Sequence, residues 1–193
     1  MNHKYSYNWY IEQFENAKET AEKFILSVDE VRFLQPPAQE RWSVAECYNH
    51  LVKFGNLYLK CMEPGLTSTD QTAGQSDKEF RPRWIVQKAI NFFEPPYKMK
   101  IKTVRPMKPE PVSEYNRMEL LDEYINLQNR FIALLKKGHN KHVHLGTVKV
   151  PHPVFSFLKL SLSECFALAE VHQRRHHWQA EQTLKILDQD TQK

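Results

Sequence analysis

The chain has 193 residues, of which 41% are hydrophobic and 26% charged, and its formal net charge is +4. This composition is typical of a globular protein, and we predict one domain over residues 1–193. The 27 basic and 23 acidic residues are spread along the chain without a dense basic stripe, which argues against a nucleic-acid partner. No stretch reaches the roughly 18 apolar residues of a membrane span. Three cysteines without CxxC spacing fit a reducing compartment, so we expect a cytoplasmic protein with no membrane partner.

The first two long helices are predicted from apolar residues that recur every three or four positions. The first runs from about Tyr5 to Val28. The second starts at Ser43 and ends near Met62, where Pro64 and the glycine after it are expected to stop it. Ser43 and Glu46 match a capping box, in which each side chain accepts a hydrogen bond from a free backbone N–H of the first turn.

A long segment without regular periodicity follows the second helix, from about Leu66 to Val112. A connection of this length is unusual in a compact domain unless it covers or shapes something. Within it, Arg83 to Phe93 is predicted to form a short helix. The side chains expected to pack inward from that helix are Trp84, Ile85, Ala89 and Phe92.

The third long helix is predicted from about Ser113 to Lys137, with its first serine or Asn116 as a cap and Gly138 as a left-handed stop. The fourth runs from about Phe155 or Ser161 to Leu187. With only 5 glycines and four long periodic segments, the chain is predicted to be all-α. We expect a four-helix bundle with a long irregular insertion between its second and third helices.

Three histidines are candidate metal ligands. His172 and His176 are four residues apart and therefore lie on the same face of the last helix, in positions where the pattern requires apolar residues. His50 borders the inward face of the second helix. Unpaired buried imidazoles are costly, whereas three neutral imidazoles from two helices can bind zinc, nickel, iron or manganese and leave one coordination position open.

The same residues carry a family resemblance. Trp42-Ser43-Val44-Ala45-Glu46 followed by His50-Leu51, and the pattern H-x-x-R-H-x-x-Q from His172 to Gln179, resemble the second-helix and last-helix motifs of the DinB-like superfamily. The resemblance implies a four-helix bundle with non-sequential packing and a divalent metal ion bound by His50, His172 and His176. Characterised relatives include thiol S-transferases that use bacillithiol or mycothiol, and some relatives form dimers.

Arg175 and Gln179 lie beside the histidines and are predicted to contact a substrate or cofactor. Gln179 could hold a bound water, orient a ligand, or form a hydrogen bond inside the bundle. Arg175 could bind a substrate carboxylate or form a structural ion pair with Glu46 or Glu170. No catalytic residue is assigned, because the sequence has no HExxH glutamate, Gly-rich phosphate loop or GxSxG motif.

These features predict a divalent-metal-dependent enzyme that transfers a low-molecular-weight thiol to a small electrophilic substrate. A metal ion would act as a Lewis acid and stabilise a thiolate or a hydroxide. Thiol transfer is favoured over hydrolysis because no general base stands beside the ligands. A metal-dependent hydrolase, a non-catalytic metal or small-ligand binding bundle, and a structural bundle whose histidines bond to one another or to buried acids remain alternatives.

The remaining predictions concern surfaces. The loop histidines His139, His142 and His144 are expected at the surface, and Trp42 and Trp84 are expected to be packing residues. A homodimer is suggested by a further apolar face on the third helix, formed by Leu120, Tyr124, Leu127 and Phe131.

Overall fold

The computed structural model describes residues 5–69, 79–96, 103–111 and 115–191. Most of these residues are helical, and a 3-10 turn (Arg105–Met107) and a small antiparallel sheet lie between the helices. The helices are α1 (Tyr7–Ser27), α2 (Glu30–Leu34), α3 (Val44–Thr67), α4 (Trp84–Phe93), α5 (Arg117–Asn140) and α6 (Leu162–Thr191), and the strands are β1 (Lys149–Pro151) and β2 (Lys159–Ser161).

The four long helices form a bundle in which α1 and α3 each pack against both α5 and α6. The helix α1 therefore lies diagonally across the bundle from α3, and α5 lies diagonally from α6. The short helices pack outside this frame, α2 against α3 and α4 against α6. The predicted all-α four-helix bundle is confirmed, and its packing is non-sequential.

Polar side chains accept hydrogen bonds from the first backbone N–H groups of all four long helices, and Ser6 does so for α1. The predicted capping box on α3 is present, with Ser43 Oγ accepting from Glu46 N and the Glu46 carboxylate accepting from Ser43 N. Asn116 caps α5, and the other candidate for that cap, Ser113, lies outside the described residues. A second capping box between Ser161 and Glu164 starts α6.

Two predicted helix ends are wrong, because tertiary contacts extend both helices. The helix α3 continues past Met62 and Pro64 to Thr67. Pro64 is exposed, so water can replace the backbone hydrogen bond that it removes, and the completely buried Leu66 anchors the last turn in the core. The helix α5 continues through Gly138, where a Cβ would lie 2.7 Å from Tyr7 Oη. This glycine serves close packing and not a left-handed stop.

The predicted inner face of the short helix α4 is wrong for three of its four residues, since only Ala89 packs against the core. Trp84 is 70% exposed, and Ile85 and Phe92 are exposed as well, whereas Val86 and Ile90 are buried. The apolar residues of α4 cover most of its circumference, so their spacing did not distinguish the face that packs on α6. The prediction that Trp84 is a packing residue fails for the same reason.

The core consists of two apolar clusters separated by polar side chains. On α6, the buried apolar residues of one cluster end at Val171, and the next buried apolar residue is Ala180 of the other cluster. The buried residues between them are His172, Gln173, Arg175 and His176.

The third-helix face that suggested a dimer is part of this core. All four of its apolar side chains are buried within the chain, so this face gives no support to a homodimer, which stays a prediction. The buried side chains of that face are Leu120, Tyr124, Leu127 and Phe131.

No helix in the described ranges has the length and apolar content needed to cross a bilayer.

The packing of α3 on α5 can be tested at Gly55. A Cβ at this position would lie 2.5 Å from Leu127 Cδ2 and 2.8 Å from Leu127 Cδ1. We expect Gly55→Ala to lower the free energy of unfolding by about 1–3 kcal/mol, the usual cost of overpacking, although alanine is the better helix former. In a Leu127→Ala background the same substitution should be neutral or stabilising. Urea denaturation measures both, and an equal loss in the two backgrounds would contradict the contact.

Candidate metal centre

Three buried histidines converge between α3 and α6. His172 and His176 are one helical turn apart on α6, and His50 faces them from α3. Each ring offers a nitrogen, and these nitrogens all lie within 4.8 Å of one another. The ring centroids are 4.5–5.0 Å apart. The structure therefore brings together the three residues that the sequence selected as metal ligands.

The backbone carbonyl of Met107 fixes the orientation and the tautomer of His50. His50 Nδ1 lies 2.6 Å from Met107 O, and since a carbonyl oxygen can only accept, Nδ1 carries the proton. The lone pair is then on Nε2, which lies 2.8 Å from His172 Nε2. Metal-binding histidines are commonly held in this way, by a carbonyl or carboxylate on the nitrogen away from the metal.

Burial keeps all three imidazoles neutral. Desolvation lowers the pKa of His50 to about 4, although the hydrogen bond to Met107 acts in the opposite direction. Desolvation also lowers the pKa of His172 and of His176 well below the ordinary value, and the charge of Arg175 lowers both further. A metal ion binds the neutral form of histidine, so the environment prepares these rings for coordination near neutral pH.

The rings fit a divalent metal ion in their donor type, and burying them is costly to the fold. Among the described residues, the Nδ1 atoms of His172 and His176 have no hydrogen-bond partner although both rings are buried. A buried polar atom without a partner costs about 1–3 kcal/mol. Three neutral nitrogen donors at one point are the ligand set of many open zinc and related sites.

Aromatic side chains hold the ring planes. Phe54 stacks on His172 with 3.9 Å between the ring centroids, and Phe93 meets the same ring edge-on at 5.6 Å. Trp42 stacks on His176 at 5.6 Å, so it packs as predicted. These rings surround the histidines with carbon and produce the desolvation that lowers their pKa.

A model of the DinB superfamily matches residues 13–180, which is most of the chain. The chain belongs to the DinB superfamily. No curated protein and no solved structure matches it. Membership together with the three-histidine cluster fits a metal-binding protein and a divalent ion.

In this DinB-superfamily chain, Arg175 and Gln179 both line the cleft beside the three histidines. Arg175 is buried, and its guanidinium carbon lies 5.4 Å from the centroid of the Phe93 ring. Of the two acids considered as its ion-pair partners, Glu46 belongs to the α3 capping box and Glu170 binds Arg174. The Gln179 side chain interacts with His176 and acts against the lowering of its pKa.

A cleft of about 1830 Å³ opens onto the centre. The three imidazoles line this cleft, whereas the ligands of a structural metal site are closed off. Side chains from α3, α4, α6 and the segment between the strands line it, and they include Phe54, Tyr58, Val86, Phe93, His152 and Leu168.

The other histidines of the C-terminal half lie outside the centre. His139 and His142 are exposed as predicted, but His144 is half-buried with its ring 5.0 Å from that of Phe80, so its prediction as a surface residue is wrong. His177 turns away from the three ligands. Its Nδ1 lies 2.7 Å from Tyr48 Oη.

Sequence reasoning missed three contributors to the centre, the Met107 carbonyl, Phe54 and Phe93. The Met107 carbonyl belongs to the backbone, so no residue type could have revealed it. Phe54 had a signal, because it lies four residues after His50 and therefore on the same helical face. The pattern that selected His50 could thus have predicted an aromatic neighbour.

The lowered pKa of His50 makes a pH-dependent prediction for the metal-free protein. Between its folded pKa of about 4 and the ordinary value of 6.5, the unfolded chain binds a proton that the folded chain does not. Stability must therefore fall as the pH falls through this window. We expect the free energy of unfolding of wild type to depend on pH more steeply than that of His50→Gln, by about 1.4 kcal/mol per pH unit. Urea titrations at three pH values between 4.5 and 6.5 measure this, and identical slopes would show that the pKa of His50 is not lowered in the folded protein.

Proposed function

We propose that this protein is a divalent-metal-dependent enzyme that transfers a low-molecular-weight thiol to an electrophilic small molecule. The observation that carries the proposal is a set of three neutral, buried imidazoles at a cleft of about 1830 Å³. Family membership and the donor set support the metal. The thiol chemistry is supported by the characterised relatives in the family that the chain resembles, which include thiol S-transferases.

His50, His172 and His176 would hold the metal ion. When bound, it supplies a Lewis acid that makes a thiol acidic at neutral pH. The protein supplies the fixed geometry, since Met107 orients His50 and the helix α6 sets the spacing of the other two. Three protein ligands leave a coordination position for an incoming molecule.

The neighbouring side chains have complementary roles. Arg175 places a buried positive charge at the cleft, where it would bind an anionic group of either substrate. Gln179, which interacts with His176, would orient a ligand at the open position. Trp42, Phe54 and Phe93 exclude water from the rings, and this strengthens every electrostatic interaction at the centre.

Thiol transfer is preferred over hydrolysis because a thiol loses its proton more easily than water does. A thiol has an ordinary pKa of about 8.5, whereas that of water is about 15.7, so a thiol needs less help from a base. Of the described acids that line the cleft, Glu46 already accepts a hydrogen bond from Ser43 and Glu40 is exposed.

A non-catalytic metal or ligand binding protein is the second candidate. It is favoured because, in the described part of the chain, the three histidines converge without an Asp or Glu that could act as a base beside them. A cytoplasmic location and a homodimer stay predictions under either function.

The metal is tested by elemental analysis of protein purified without a histidine tag. We expect about one equivalent of zinc, nickel, iron and manganese in total per chain, because the three nitrogens form one site. His50→Ala, His172→Ala and His176→Ala should each reduce the content at least about tenfold. The matched control is His177→Ala, which removes the adjacent histidine outside the cluster and should retain the metal. Metal contents near zero in wild type would end the metal hypothesis.

Thiol transfer is tested by conjugation of 1-chloro-2,4-dinitrobenzene with a panel of bacillithiol, mycothiol, glutathione, coenzyme A and cysteine. We expect metal-loaded wild type to conjugate at least one thiol about 100-fold faster than His172→Ala does. The reason is that Lewis-acid activation lowers the barrier by several kcal/mol. His177→Ala should stay active. If wild type and His172→Ala both conjugate every thiol at the uncatalysed rate, the transferase proposal fails and the binding protein remains.

A further inference from the structure

A continuous wall of aromatic rings leads outward from the metal centre. Its inner part is on α3, where Phe54 stacks on His172 and, with 4.5 Å between centroids, on Tyr58. Phe54 and Tyr58 are four residues apart and therefore share a helical face. Both side chains are buried and both line the cleft.

The outer part of the wall comes from the segment that connects β1 and β2. The His152 ring lies 5.9 Å from that of Tyr58 and 5.3 Å from that of Phe155. Phe155 lies 6.2 Å from Phe157, whose side chain is 80% exposed at the mouth of the cleft. We call these five residues, Phe54, Tyr58, His152, Phe155 and Phe157, the aromatic arm.

The polar atoms of the aromatic arm are engaged with one another or with the backbone. His152 Nδ1 accepts from the backbone N–H groups of Val154 and Phe155, at 3.1 Å each, so the ring proton is on Nε2. This Nε2 faces Tyr58 Oη at 3.5 Å. The arm therefore presents mainly carbon to the cleft. The helix α4 contributes further apolar side chains to the same cleft, namely Val86, Ala89 and Phe93.

The size and the charge of the cleft indicate what occupies it. Sites for drug-sized ligands are about 300–1,000 Å³, whereas this cleft is about 1830 Å³, more than a small thiol would fill. Its inner end has the buried guanidinium of Arg175 beside the histidines. An occupant must therefore be narrow enough to reach buried side chains, apolar along most of its length, and anionic or metal-binding at its head.

We propose that the aromatic arm binds the elongated apolar chain of a substrate whose polar head lies at the three histidines beside Arg175. This rests on the proposed function in that the head is placed at the metal centre. A folded partner protein is excluded from the inner part, because Phe54, Tyr58 and His172 are buried at the bottom of the cleft. The substrate class is thus a long-chain or extended aromatic amphiphile.

The test is a series of straight-chain hydroxamic acids, from acetohydroxamate to decanohydroxamate, titrated calorimetrically into zinc-loaded protein. The hydroxamate binds zinc, and the length of the chain is the only variable. We expect Kd to fall about fourfold for each added methylene until the chain reaches the mouth of the cleft, since a fully buried methylene contributes about 0.8 kcal/mol.

Variants at the mouth locate the chain. Phe157→Ser removes an exposed side chain and should weaken decanohydroxamate about tenfold while leaving acetohydroxamate unchanged. Ala89→Phe adds a ring inside the cleft. In this variant the Kd should stop falling at a shorter hydroxamate chain than in wild type. Val31→Ser is the matched control, because Val31 is 72% exposed on α2 and does not line the cleft.

A Kd that is independent of chain length, or no binding by any member of the series, would overturn the aromatic arm. So would a Phe157→Ser variant that changes the sedimentation coefficient of the protein and leaves the chain-length dependence intact, since the exposed rings would then form an interface between copies. Metal analysis and the thiol assay are independent readouts. A chain-length gain without conjugation of any thiol would overturn the proposed transferase and leave the arm standing.

Discussion

The burial of three uncharged imidazoles in the middle of a helical bundle is the constraint on which the rest of this structure depends. The helix α6 changes from apolar to polar side chains after Val171 and becomes apolar again at Ala180, so the histidines lie between two separate apolar clusters. Those clusters bring α3 and α6 together from both sides. The polar residues between them are desolvated as a consequence, and desolvation is the main cause of the lowered pKa values.

The long insertion is part of this arrangement. Three of its residues bind one stretch of α3: the Met107 carbonyl accepts from His50, the Lys108 carbonyl accepts from Lys53, and the Glu110 N–H donates to the Asn49 side chain. These hydrogen bonds hold the last part of the insertion against α3, the helix that carries His50. Its function in the centre is specific, because the Met107 carbonyl decides which nitrogen of His50 keeps a lone pair.

The sequence predicted the features that depend on local spacing. The four long helices follow from periodicity and caps such as Ser43, and the three ligands follow from two histidines one turn apart and a third on the inner border of another helix. The family motif supported the same three residues. These signals are contained within one helix at a time, so they can be recognised without knowing how the helices pack.

The errors arose where contacts between distant segments decide. Pro64 and Gly138 are ordinary stop signals. The helix α3 nevertheless continues past Pro64, where Leu66 is buried, and α5 continues through Gly138, which packs closely against Tyr7. The third-helix residues assigned to a dimer face are covered by the chain's own helices, since α5 packs against both α1 and α3. The strand pair was missed because each strand has three residues, too few for alternation to be recognised.

The same burial that prepares the centre also couples it to the stability of the fold. The Nδ1 atoms of His172 and His176 are buried without a hydrogen-bond partner in the described part of the chain, each at about 1–3 kcal/mol. The total stability of a domain is only about 5–15 kcal/mol, so this is a substantial fraction. The two apolar clusters must therefore keep the histidines assembled on their own, and a ligand that binds only the assembled rings adds its binding free energy to folding. A polar layer of this kind is costly to the fold. Its position at the inner end of an open cleft is what allows the same buried side chains to bind a ligand.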